Sequence, residues 1–318
     1  MAARFFRRFL TILLVAFVAC AATARAAEQP AKKKLLYFTK SSGFIHDSAK
    51  RIAPDQLAFS EKLMQDWAPK HGYDIVISKD GSLFSDPAQV ASFDVLVFNT
   101  SGRLTDVPKP PADPKKDPAR AVENSFPPMT EEGKENLLKA VAAGKGFVGI
   151  HSANDTFHSP GPGNETTPYK ERDPFIRMLG SEFIVHGAQQ SSKMIVTSPS
   201  FPGLDGVKDF TWNEEWYAAK NFARNLHVIL LQDTEGMQGW MYQRADFPAT
   251  YARMHQKGRV FYTSLGHRED VWTNPLMEKI LFGGIDWAAG KVDFDLKPNI
   301  QEAASGANEL PTPPQKKP

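Results

Sequence analysis

Three of the eight histidines stand at or shortly after the ends of apolar runs that are typical of buried strands. His46 follows the first run across a short polar loop, His151 comes directly after Ile150, and His267 comes shortly after Leu265. Imidazole acts as an acid, a base or a metal ligand near neutral pH. Parallel strands bring their carboxyl ends to one edge of a sheet, so we expect the three side chains to line one cleft.

Further polar candidates lie between these histidines. His186 is left open between a structural and a functional role. Glu214 and Glu215 are adjacent, so in an extended segment they point to opposite sides and only one can face the cleft. The remaining histidines are interpreted as structural or exposed: His71, His158, His227 and His255.

The loops also carry side chains that suit a sugar. Aromatic faces pack on the C–H faces of pyranose rings, and Asn and Asp side chains bind hydroxyls. For Trp216 a place in the core is an equal alternative. The predicted substrate-binding residues are Phe44, Asp47, Asn154, Asp155, Trp216 and Tyr217.

The elements that position these residues alternate between strand and helix. Apolar runs predict strands at 35–38, 73–77, 95–98 and 146–150, with helices at 54–68, from Thr130 to Gly144, and from Asn274 to Gly290. The second half adds strands near 194–196, 227–231, 249–254 and 259–265. This order predicts an α/β fold with a mostly parallel sheet, helices on both faces, and β-rich additions in the second half.

The two ends of the chain are predicted to lie outside the fold. Residues 1–26 have a positive start, an apolar run and small residues before a cleavage point, as in a secretory signal peptide. We therefore expect a periplasmic or secreted protein that begins near Ala27, with twin-arginine export and lipidation at Cys20 left open. Residues 291–318 are rich in Pro, Ala and Gln and are predicted to be disordered, and residues 103–128 form a surface excursion.

Composition narrows the possible functions. The 318 residues have 42% apolar content and a formal charge of +2, which suits a globular domain with a sizeable core. The basic residues are scattered along the sequence, so no nucleic-acid footprint is visible. Cys20 is the only cysteine, and cleavage of the leader would leave no thiol nucleophile.

Four segments together resemble the ThuA-like domain: 43–48, 146–156, 213–217 and 258–267. The resemblance covers residues 34–290 and implies a flavodoxin-like sheet related to the class I glutamine amidotransferases. It also implies a role in the use of trehalose or a related disaccharide. The implied substrate is a 3-keto sugar made by a partner dehydrogenase.

The resemblance also selects one carboxylate and excludes one reaction. The family's acidic residue precedes an aromatic–Tyr pair, which selects Glu215 before Trp216 and Tyr217. Trp216 is expected to raise the pKa of Glu215 towards that of a useful base. His151 stands where an amidotransferase holds its nucleophilic cysteine, so glutamine hydrolysis through a thioester is excluded.

Three functions stay open at this point. The first is acid–base chemistry on an oxidised sugar (isomerisation, elimination or hydrolysis) with His46, His151, Glu215 and His267 as catalytic residues. The second is a non-catalytic sugar-binding protein, and the third is a metal-dependent hydrolase. No cofactor is predicted. No His-x-x-x-His spacing supports a metal, so the metal-dependent hydrolase is the minority hypothesis, and a divalent metal is left open. The expected partners are a sugar and a dehydrogenase, without nucleic acid or stable membrane association.

Overall fold

The structure is a computed structural model that describes residues 32–314. A nine-stranded mixed sheet with the order β2-β1-β3-β4-β11-β10-β9-β6-β7 forms its centre, and β5 and β8 pair separately. The strands are β1 Lys33–Phe38, β2 Tyr73–Ser78, β3 Val95–Phe98, β4 Gly146–Ile150, β5 Glu182–His186, β6 Gln190–Val196, β7 Phe210–Glu214, β8 Tyr217–Lys220, β9 His227–Gln232, β10 Phe247–His255 and β11 Gly258–Thr263.

One half of the sheet is parallel and carries the flavodoxin-like order. Strands β2, β1, β3, β4 and β11 pair in parallel. Strands β3 and β4 are buried along their whole length, as their uninterrupted apolar sequences predict. The predicted α/β fold class is confirmed, and the carboxyl ends of β1, β4 and β11 lie at one edge.

The other half of the sheet is antiparallel. Strand β10 joins β11 to β9, and β6 and β7 extend the sheet from β9. These strands confirm the predicted β-rich second half. Strands β5, β7 and β8 were missed. Strands β7 and β8 have no long apolar run, whereas the short run Phe183–Val185 in β5 was overlooked.

Helices cover both faces of the sheet. Helix α1 contacts α6, which contacts α7, whereas α4 contacts both α2 and α5. The helix predicted at 54–68 begins only at Phe59, because Glu61 accepts a hydrogen bond from the Ala58 N–H and fixes the first turn there. The helices are α1 Phe59–Lys70, α2 Pro87–Ala91, α3 Pro118–Ser125, α4 Glu131–Ala142, α5 Pro174–Leu179, α6 Glu269–Trp272, α7 Pro275–Ala288 and α8 Ile300–Ala303.

The excursion at 103–128 is packed onto the loop that follows β1. Its helix α3 carries Glu123, which is buried and pairs with Lys79 at 2.9 Å. Glu123 also accepts a hydrogen bond from the Ser41 N–H, and Arg120 donates to the carbonyls of Ser41 and Gly43. The excursion therefore fixes the loop that leads to His46.

The segment after residue 290 corrects the prediction of a disordered tail. Asn299 accepts a hydrogen bond from the Val228 N–H and donates one to its carbonyl, at the end of β9. Ile300 in α8 is buried. Composition suggested little burial, but asparagine side chains that bind backbone groups hold this segment on the domain through Asn308. Residues 315–318 lie outside the described part.

The predicted leader, residues 1–26, also lies outside the described residues. Among residues 32–314, no helix combines the length and the apolar character that crossing a bilayer requires.

Candidate functional site

The carboxyl ends of β1, β4 and β11 bring the three predicted histidines together. His46 precedes a short 3₁₀ helix after β1, His151 directly follows β4, and His267 lies in the loop after β11. Their ring centroids are 4.9 Å apart for His46 and His151, 5.2 Å for His151 and His267, and 5.3 Å for His46 and His267. Residues distant in sequence thus form one cluster at the predicted edge.

Glu215 lies among these imidazoles, between β7 and β8. Its Oε2 atom is 3.0 Å from His267 Nδ1, 3.5 Å from His151 Nε2 and 3.7 Å from His46 Nε2. One ligand atom from each of the four residues lies within 4.8 Å of the others. We refer to His46, His151, His267 and Glu215 as the Glu215 cluster.

The imidazoles of the cluster leave buried nitrogen atoms without hydrogen-bond partners. These atoms are His46 Nδ1, His151 Nε2 and His267 Nδ1. Buried polar atoms in native proteins are nearly always hydrogen-bonded, so the His151 and His267 atoms, which both face Glu215, need a physical reason. A bound cation or a polar substrate would provide their missing partner.

The backbone at His151 adopts an uncommon conformation that directs its side chain towards the cluster. His151 has a φ of +44°, a conformation that a non-glycine residue adopts only when its surroundings hold it. Tyr262 donates a hydrogen bond to its carbonyl, and His151 Nδ1 lies 2.9 Å from the Ser264 carbonyl. A proton on Nδ1 satisfies that carbonyl and leaves the Nε2 lone pair facing the cluster.

Glu214 holds the loop that carries His267. Its carboxylate is fully buried and accepts hydrogen bonds from the backbone N–H groups of Gly266, His267 and Arg268. Glu215 points to the cluster instead, so the two adjacent carboxylates do point to different sides. Sequence reasoning treated Glu214 only as the carboxylate outside the cleft and missed this supporting contact.

The pKa values in the cluster correct one prediction. Burial raises the pKa of Glu215, but its contacts with His151, His267 and His46 outweigh burial and hold it well below the usual range. The expected rise in the pKa of Glu215 is therefore wrong, because the neighbouring imidazoles outweigh Trp216. Burial lowers the pKa of His151 to about 4, whereas Glu215 overcomes burial and raises the pKa of His267.

Two more side chains complete the surroundings of the cluster. The Tyr217 hydroxyl lies 3.0 Å from His46 Nε2, and its ring centroid is 4.2 Å from that of His151. His186, which the sequence left open, lies at the end of β5 with Nδ1 3.3 Å from Glu215 Oε1, and its side chain is exposed. The strand-end position of His186 is the same signal that identified the other three histidines.

The other predicted substrate-binding residues lie at different depths. Phe44 is 67% exposed, and its ring centroid is 4.9 Å from that of His46. Asp47 lines a cleft of about 790 Å³ that also includes His267. Asp155 pairs with His158 at 2.6 Å, and Asn154 is buried with its side-chain oxygen unpartnered.

Trp216 is not brought to the cleft. Its side chain is fully buried, and its indole nitrogen donates a hydrogen bond to the Gln190 carbonyl. The structure therefore supports a place in the core for Trp216, and not a role in substrate binding. The adjacent residues Glu215 and Tyr217 face the cluster instead. The sequence alone does not show which of the three side chains points into the core.

The Glu215 cluster is the group of described residues with the geometry of a metal centre. Three imidazoles and one carboxylate suit Zn²⁺ and other divalent transition ions. The hydrogen bond of His151 to the Ser264 carbonyl is of the kind that orients metal-binding histidines.

Comparisons with known proteins agree with this fold. A family model described as ThuA, trehalose utilisation, matches residues 34–288. A ThuA-like protein from Bacteroides uniformis is 17% identical, with 87% of this chain and 98% of that chain covered at a TM-score of 0.55. One from Parabacteroides merdae is 16% identical, with 84% and 94% covered at a TM-score of 0.53. No curated protein matches the sequence. The chain therefore belongs to the ThuA, or trehalose utilisation, family.

Proposed function

We propose that this protein is a carbohydrate-processing enzyme that binds a divalent transition-metal ion in the Glu215 cluster and acts on an oxidised sugar. The observation that carries the proposal is the approach of four ligand atoms to within 4.8 Å of one another. Ligand atoms about 2.0–2.2 Å from a common ion are at most about 4.4 Å apart. Small side-chain movements would therefore close the cluster around an ion.

The family description supports a sugar as the substrate. A 3-keto-disaccharide presents a ketone and neighbouring hydroxyl oxygens, which are suitable ligands for a divalent ion. When bound, the ion would act as a Lewis acid and polarise the ketone oxygen. Exposed Phe44 beside His46 offers an aromatic face to a ring, and Asp47 and Asp155 offer hydroxyl acceptors.

The protein's own residues would then move the proton. A ketone acidifies the neighbouring C–H, so isomerisation or elimination begins with removal of that proton. With His151 and Glu215 engaged as ligands, the imidazole of His186 takes the proton, because it is exposed and borders Glu215. An isomerisation is completed when the proton returns to the former ketone carbon, the hydroxyl on the deprotonated carbon loses its proton and becomes the new carbonyl, and that proton passes to the former ketone oxygen. An elimination is completed when the base delivers its proton to the departing glycosidic oxygen.

A second candidate is metal-free acid–base catalysis by the same residues. The raised pKa of His267 and the lowered pKa of Glu215 favour an ion pair between them, in which a protonated imidazole stabilises the enolate. In this alternative His151 is neutral and accepts the proton. A non-catalytic sugar-binding protein is the remaining alternative.

We also propose that the protein acts in the periplasm or is secreted, after cleavage of residues 1–26. Within this proposal, a dehydrogenase supplies the 3-keto sugar. N-terminal sequencing of exported protein is expected to begin near Ala27. A mature chain that begins at a lipidated Cys20 would make it a membrane-anchored lipoprotein instead.

The test is turnover of 3-keto-trehalose, with trehalose as the comparison, followed by NMR and mass spectrometry. We expect conversion of the keto sugar only, loss of conversion after chelation, and recovery with one divalent transition metal. Conversion that survives complete chelation would select the metal-free alternative. Binding of either sugar without any conversion, in metal-loaded protein, would select the sugar-binding alternative.

A further inference from the structure

A second cleft of about 680 Å³ lies away from the Glu215 cluster and is lined by basic and amide side chains. We refer to it as the arginine cleft. Its lining includes Tyr169, Arg172, Arg224, Asn225, Arg253 and Asn308.

The arginine cleft is at the opposite edge of the sheet from the Glu215 cluster. Arg253 in β10 pairs with Val260 near the start of β11, and Val260 pairs with Phe147 near the start of β4. His151 follows the other end of β4. A ligand of the arginine cleft would therefore occupy a site separate from the chemistry proposed above.

Two guanidinium groups of the cleft are bound only to neutral carbonyl groups. Arg253 is 5% exposed and donates through Nη1 to the Arg177 and Met178 carbonyls, while its Nε atom has no partner. Arg172 donates to the Thr167 and Asn221 carbonyls. Among the described residues, no carboxylate forms an ion pair with Arg172, Arg224 or Arg253.

The surroundings of the cleft add positive charge. The residues that line it include no Asp or Glu. Beyond Tyr169, a neighbouring cleft is lined by Lys139, Arg177 and His255, again without an acidic residue. Burial, followed by the charges of Arg253 and Arg177, lowers the pKa of His255 to about 4, as expected where the potential is positive.

Glu182 is the carboxylate with the largest electrostatic effect on Arg172, and its oxygen atoms already accept other hydrogen bonds. Glu182 acts on Arg172 from a distance but accepts its own hydrogen bonds from Ser159 and Asn221. A buried guanidinium without a counter-ion is costly, and an oxyanion would offset that cost through charge-assisted hydrogen bonds. Residues 32–314 supply no such anion to the cleft.

We propose that the arginine cleft binds a small sugar that carries an oxyanion, either a phosphate ester or a carboxylate. Arg172, Arg224 and Arg253 would bind the oxyanion, whose shared chemistry is a set of negatively charged oxygen acceptors. The cleft is much larger than a phosphate ion. Tyr169, which is 55% exposed, and the amides of Asn225 and Asn308 provide a ring face and hydroxyl partners for the sugar.

The experiment is calorimetric titration of the full-length mature protein at fixed ionic strength with glucose 6-phosphate, glucuronate, glucose and orthophosphate. Variants of the arginines in the cleft separate this binding from any binding at the Glu215 cluster. We expect glucose 6-phosphate or glucuronate to bind at least tenfold more tightly than glucose and orthophosphate. If glucose 6-phosphate binds more tightly, the oxyanion is a phosphate ester; if glucuronate binds more tightly, it is a carboxylate.

Matched arginine variants locate the binding. Arg224→Ala, at an exposed position, should weaken binding at least tenfold, and Arg172→Lys should weaken it although the charge is kept. Arg103→Ala, an exposed arginine outside the cleft, should leave it unchanged. Failure of both anionic sugars to bind, equal binding of orthophosphate, or equal effects of Arg224→Ala and Arg103→Ala would overturn the proposal.

Discussion

Two buried carboxylates, Glu182 and Glu215, each lie beside histidine but have opposite hydrogen-bond environments. Glu182 accepts from the Ser159 backbone and hydroxyl and from the Asn221 amide, at 2.6–3.0 Å. Glu215 has four imidazole nitrogens between 3.0 and 3.7 Å, yet the facing nitrogens of His151 and His267 form no aligned hydrogen bond.

The difference separates a structural group from a functional one. The contacts of Glu182 are complete, and His158 and Ser159 outweigh burial and lower its pKa to about 2. The Glu215 cluster instead leaves His151 Nε2 and His267 Nδ1 without an aligned partner beside the Glu215 carboxylate, whereas His46 Nε2 lies 3.0 Å from the Tyr217 hydroxyl. Completed contacts stabilise a fold, whereas converging acceptors without donors favour a cation.

The largest expected effect is on activity. Glu215→Gln should reduce turnover of 3-keto-trehalose at least about 100-fold, because the neutral amide is a weak metal ligand. His71→Ala, outside the cluster, is the matched control and should retain turnover. If Glu215→Gln keeps full turnover while Glu214→Gln abolishes it, the wrong carboxylate has been chosen.

At Glu182 we expect a loss of stability without a loss of metal. Glu182→Gln should lower the free energy of unfolding by about 2–4 kcal/mol, because it replaces one acceptor oxygen of a buried, charge-assisted network by a donor. Metal content should stay at the wild-type level. Urea unfolding of metal-free wild type and variant measures the change. A silent Glu182→Gln would remove the contrast between the two carboxylates.

A smaller effect should follow from loosening the loop of His267. Glu214→Gln keeps the shape of the side chain but weakens its hold on the N–H groups of Gly266, His267 and Arg268. Groups that orient metal ligands typically contribute 10–100-fold to metal affinity, so we expect a loss in that range. Competition with a chelating dye reports it, and unchanged affinity would show that the loop holds His267 without Glu214.

The smallest expected effect is a pH dependence of stability. Hydrogen bonds to Asp155 and then Glu182 raise the pKa of His158 from 6.5 to about 9. A raised pKa stabilises the fold fully below about pH 6.5, and the contribution is lost as the pH rises through 9. His158→Gln should therefore be less stable than wild type at pH 6 and equal to it near pH 10. A constant difference across that range would contradict the raised pKa.

The position of the cluster at one edge of the sheet could be predicted because it depends on local sequence, namely on which residues follow each strand. His151 follows its strand at once, His267 follows its strand after a few residues, and parallel strands place their ends together. Thr130 and Asn274 likewise mark helix starts by side-chain caps that act within one turn, and both caps are observed.

The parts that sequence reasoning missed depend on contacts between distant residues. The pKa of Glu215 is set by imidazoles from three other loops, and no local pattern reports their distances. Asn299 orders the tail by binding β9. His186 reaches the cluster through β5, an overlooked strand that pairs with β8 outside the main sheet. Trp216 is distinguished from Tyr217 only by the direction of each side chain.

Metal binding tests the central claim most directly. Protein purified without affinity to metal resins, stripped with chelator and titrated with Zn²⁺, Mn²⁺, Co²⁺ and Ni²⁺, should bind one ion per chain, with parallel elemental analysis of unstripped protein. We expect His151→Ala and Glu215→Gln to lose this ion and His71→Ala to retain it. Absence of the ion from the wild type, or equal retention by His151→Ala and His71→Ala, would contradict a metal centre in the Glu215 cluster.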